Sequence, residues 1–119
     1  MSFAAVALAL ALGQTAPPSS FPDVLLGQWT EDLDTCGQED TDGVNIEADN
    51  VQFYEAVGRV QAIMIEPNGA IESELHFSGE GRSWTETAHF RLSKDHSSVE
   101  VRALGQKLVL MRCPVVLDL

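Results

Sequence analysis

The sequence predicts an all-β domain: about eight short antiparallel strands in an up-and-down meander that closes into a barrel. Three observations predict it. Runs of about five to nine residues rich in Val, Ile and aromatics recur along most of the chain, and each is bounded by turn chemistry. Several runs alternate apolar and polar residues, as a half-buried sheet requires. The connections are too short for the crossovers that parallel strands need, which leaves antiparallel neighbours.

The first residues stand apart from this pattern. Residues 3–12 form an unbroken Ala/Leu-rich stretch, too short to span a bilayer as a helix, with Ala11 and Gly13 as the small residues flanking a cut after Gly13. It reads as the apolar region of a secretory signal peptide over residues 1–13. The Pro- and Ser-containing residues 14–22 read as a flexible tether, and the barrel domain is expected over 23–119. With no membrane span in the mature chain, the location implied is periplasmic or secreted.

Eight runs follow in order. Residues 25–31 hold Gly27-Gln28-Trp29, and an acidic loop from Glu31 to Gly43 comes next. Runs 44–48 and 51–57 are broken at Asp49-Asn50, a turn-prone pair. Run 59–66 ends in Glu66-Pro67-Asn68-Gly69, where proline suits the second turn position and Asn-Gly the positive dihedral after it. Runs 70–78, 84–93, 99–104 and 107–113 complete the set, separated by Gly79-Glu80-Gly81, Lys94-Asp95-His96-Ser97 and Gly105. An eight-stranded meander removes its open edges by closing on itself.

Alternation assigns faces. Ile71, Ser73, Leu75 and Phe77 share one side, with Glu72, Glu74 and His76 on the other. Runs 59–66 and 107–113 are apolar on both sides, so their outer faces are expected to need cover.

The chain has 119 residues, a formal charge of −11 and two cysteines. Two cysteines in an exported chain allow a single disulfide, Cys36 to Cys113. Its closed loop spans 77 positions and is worth about 4 kcal/mol in the chain-entropy account. The charge is uneven: residues 1–58 hold ten acids and no base, whereas 59–119 hold eight acids and seven bases. Such a field repels phosphate backbones and anionic lipid, which argues against nucleic acid and favours a cationic protein as partner.

Two glutamates break the alternation. Glu55 falls on the face of Val51, Phe53 and Val57, and Glu86 on the face of Trp84, Ala88 and Phe90. An inward carboxylate needs a partner, and Arg112, on the face of Leu108 and Leu110, is the expected one. Two readings remain open. In one, Trp29, Glu55, Trp84, Glu86 and Arg112 line an interior that holds a small polar ligand. In the other they form an internal salt bridge, with Arg112 lying over the Trp29 ring.

Asp32, Asp34 and Gly37 begin like a calcium loop, but Gly43 stands where its bidentate Glu belongs and no helical pattern flanks it. His76, His89 and His96 lack local metal spacing, and no serine sits in a nucleophile elbow. The expectation is therefore a non-catalytic protein with neither metal nor cofactor.

Gly27 and Trp29 on the first strand, the eight-strand meander and Arg112 at the end of the last strand resemble the lipocalin and calycin-type barrels. The resemblance implies a tryptophan packed beneath that arginine. In size, export and single disulfide the chain is also similar to small periplasmic inhibitor barrels that block lysozymes or secreted proteases. The function expected is an exported binding module, an inhibitor of or adaptor for a basic protein such as a lysozyme or protease. The alternative is a carrier of a small ligand in the barrel interior.

Overall fold

The computed structural model describes residues 20–38 and 43–114. The signal-peptide reading, most of the tether, residues 39–42 of the acidic loop and the last five residues lie outside these. Eight strands close into one antiparallel barrel in sequence order. They are β1 (Gly27–Thr30), β2 (Val44–Ile46), β3 (Asn50–Gln52), β4 (Val57–Ile65), β5 (Ile71–Gly79), β6 (Arg82–Leu92), β7 (Ser98–Ala103) and β8 (Gln106–Arg112).

The connections alternate between two ends. At one end lie the β3–β4 loop and the tight turns Glu80-Gly81 and Leu104-Gly105. Both of these turns have two residues at positive φ, the geometry that matches the twist of a two-residue hairpin. At the opposite end lie the β2–β3, β4–β5 and β6–β7 turns and a 3-10 helix, Asp23–Leu25. Gly27, at φ 121°, supplies the bend from that helix into β1, a conformation open to glycine because it lacks a Cβ.

Alternation puts Trp29, Ile46, Val51, Leu75, Phe77, Phe90, Val99, Val101 and Leu110 inside, all fully buried. Leu25 plugs the helix end and is wholly buried. Phe21 is buried as well, its ring edge-on to Phe90 at 5.2 Å and its amide donating to the Ala48 carbonyl at 2.8 Å. Phe21, which falls within the expected tether, thus packs into the barrel. Thr30 and Ser73, the buried polar residues among those described, keep partners: the Ser73 hydroxyl donates to the Ala62 carbonyl at 3.0 Å, beside the bulge in β4. Met64 on the outer face of β4 and Val109 and Met111 on that of β8 are exposed, and so is Ile65 at the end of β4.

Cys36 and Cys113 are bonded, with Cα atoms 5.7 Å apart. To reach this bond the chain after β1 folds back along the outside of the barrel. The Gln28 side chain holds it there, accepting from the Gly37 amide at 2.8 Å and donating to the Gln38 carbonyl at 3.3 Å. The Cys113 amide donates to the Gln28 carbonyl at 2.9 Å, so the last strand and the returning loop meet on one residue of β1.

Candidate functional site

The five residues expected to share a lining divide between the two barrel ends. Trp29 and Arg112 stand together at the helix end, where β1 and β8 pair them directly. The guanidinium carbon lies 4.2 Å from the Trp29 ring centroid. Arg112 donates to the carbonyls of His96 at 3.0 Å, Leu26 at 3.2 Å and Val24. The Trp29 indole donates to the Leu25 carbonyl at 3.0 Å. These bonds tie the 3-10 helix and the β6–β7 turn across the barrel end, so here the arginine closes the fold, and among the described residues it meets no carboxylate.

Trp84 and Glu86 belong to the hairpin end. Glu86 accepts from the Trp84 indole at 3.0 Å and from the Leu104 amide at 2.7 Å. Its partners are therefore an indole and a backbone N–H, and the expected ion pair with Arg112 does not form. Trp84 stacks on Phe77, centroids 5.5 Å apart. Glu55 corrects a second expectation. β3 ends at Gln52, and residues 53–56 turn as a loop, so Glu55 is exposed where unbroken alternation would have sent it inward.

What the hairpin end does bring together is a cleft of about 250 Å³ lined by Glu31, Gly43, Phe53, Tyr54, Glu55, Gln106 and Leu108. Its origin is a mismatch of strand lengths. β1, β2 and β3 have four, three and three residues, whereas β8 has seven, so the wall is low beside the upper part of β8. The β3–β4 loop leans over this gap, with Gln106 Nε2 donating to Glu55 Oε1 at 3.0 Å. Phe53 and Leu108 form an apolar floor, and Tyr54 stands 74% exposed at the rim.

Electrostatically the cleft is one-signed. Two carboxylates line it and none of its lining residues is a cation. The lysine of β8, Lys107, points to the outer face, 3.6 Å from Glu100. Glu31 and Gln106 carried no signal as site residues, because it is strand length that places them here. Elsewhere in the acidic loop, the Asp32 carboxylate accepts from the Asp34 amide at 2.9 Å and so caps its own turn.

Among the described residues no helix is long and apolar enough to cross a membrane. No protein-family model, curated protein or solved structure matches the chain.

Proposed function

We propose that this is an exported, non-catalytic binding module whose hairpin-end cleft receives a cationic group from a basic protein. The observation that carries the reading is the pairing of Glu31 and Glu55 in a cleft with no lining cation, on a chain whose first half holds acids and no base. Export is supported by the Cys36–Cys113 bond, since disulfides persist in oxidising compartments. Kinship with lipocalin-type barrels is supported by the closed eight-strand meander and by Trp29 beneath Arg112.

The cleft's dimensions favour a protruding side chain over a free small molecule. At about 250 Å³ it falls below the roughly 300–1,000 Å³ common for small-molecule pockets. An arginine or lysine would lie over Tyr54 and meet the carboxylates at its tip.

Titration against an immobilised basic protein such as lysozyme tests the reading. Binding should weaken steeply as salt is raised and be lost in the E31Q/E55Q double variant. Salt-independent binding, or binding untouched by that double substitution, overturns it.

A further inference from the structure

The upper part of β8 has a face that the barrel leaves open. β8 pairs with β7 along its whole length, from Gln106 to Met111, but with β1 only through Met111 and Arg112. The direction of its remaining amides follows from the two at its end. The Arg112 amide donates to Ser97 on the β7 side, and the Cys113 amide donates to Gln28 on the β1 side. Antiparallel pairing alternates these directions residue by residue, so Lys107 and Val109 turn their N–H and C=O groups toward the β1 side. Among the described residues no strand meets them there, and their neighbours on β8, Gln106 and Leu108, line the acidic cleft.

The other overhanging edges are obstructed. β4 runs past β3 after Arg59 but carries a bulge between Val60 and Ala62, a distortion that discourages strand addition. β6 runs past β7 before His89, and there the Glu86 carboxylate is already bonded to the Leu104 amide. An unpaired row of peptide groups beside a cavity is a template for another extended chain.

We propose that the partner enters the cleft as an extended basic segment, adding a strand beside β8 through Lys107 and Val109 while an arginine or lysine reaches Glu31 and Glu55. This rests on the cation-binding reading above and specifies the form of the ligand. Charge selects the occupant: a second copy would bring its own two carboxylates and a further charge of −11, whereas a basic segment neutralises the cleft.

The test uses the full disulfide-closed chain and two synthetic probes. One is an acetylated, amidated pentapeptide of alternating arginine and threonine; the other is the same peptide with its internal amides N-methylated. The unmodified peptide should slow hydrogen exchange at the Lys107 and Val109 amides and bind about tenfold or more tightly than the methylated one, the scale of two hydrogen bonds. Equal affinities, or unchanged exchange at both amides, overturn strand addition and leave the cation-binding reading standing. If neither peptide binds, both readings fall. Exchange protection that grows with protein concentration, without peptide, assigns the edge to a second copy and overturns the proposal.

Discussion

Arg112 covers Trp29 with its guanidinium 4.2 Å from the ring centroid, while its nitrogens reach the carbonyls of Val24, Leu26 and His96. Cation–π attraction at such a site is worth about 0.5–2 kcal/mol. Hydrogen bonds from a charged donor contribute about 1.5–3 kcal/mol each, so the bonds decide the residue type. Arg112→Lys keeps the charge but cannot span three carbonyls with one ammonium. A loss of about 2–4 kcal/mol in urea unfolding is expected. A lysine variant within about 0.5 kcal/mol of wild type, the range of ordinary surface substitutions, would show that the three bonds do not hold this end closed.

The disulfide acts next to that cluster, since Cys113 follows Arg112 and its amide bonds Gln28. Removing the bond with C36A/C113A should cost about 4 kcal/mol, chiefly by freeing the unfolded chain across 77 positions. A freed unfolded state exposes more surface, so the denaturant m-value should rise as well. Loss of stability without a rise in m would locate the effect in the folded loop around Gln28 and Gly37.

The barrel and its closure were legible because their signals are local or terminal. Turn residues mark every hairpin, and Trp29 and Arg112 fall on the first and last strands, which must be neighbours once a meander closes. Glu55 was misplaced because period-2 alternation was extended through Tyr54, past the point at Gln52 where the strand stops. Phe53 and Ala56 are both buried with two exposed residues between them, a spacing that fits a turn better than a strand. The partners of Glu86 depend on a register reaching Leu104, 18 residues away. The cleft is less legible still, since it exists because β8 outlasts β1, a difference that shows in no single stretch.

Glu86 fastens a residue in a costly conformation. Leu104 has φ 55°, in the left-handed region that costs a non-glycine residue about 1–2 kcal/mol, and the Glu86 carboxylate accepts its amide. Glu86→Ala should destabilise by about 1–3 kcal/mol by leaving the Leu104 and Trp84 donors without this acceptor, and Trp84 emission should shift. Adding Leu104→Gly to that variant should restore part of the loss, because glycine adopts this backbone without strain. No recovery in the double variant would show that the Glu86 contact does not serve to hold the turn.

Asp95 gives the helix end a dependence on acid. Its Oδ1 accepts from the Ser97 hydroxyl at 2.7 Å, the Ser97 amide at 3.0 Å and the Ser93 hydroxyl at 2.8 Å. Led by the Ser97 hydroxyl, these bonds lower its pKa from 3.8 to about 2. Because the folded value lies below the unfolded one, the stabilisation is fully present above pH 3.8 and is lost as pH falls toward about 2. The turn that these bonds shape presents the His96 carbonyl to Arg112, so its loosening should reach the cover over Trp29. Asp95→Asn removes the titration while keeping the side chain's size. The stability difference between wild type and this variant should be constant from pH 7 to about 4 and shrink below that. Taking the difference cancels the other carboxylates that titrate in the same range. A difference that stays flat down to pH 2 would mean that the serine bonds do not favour the charged form.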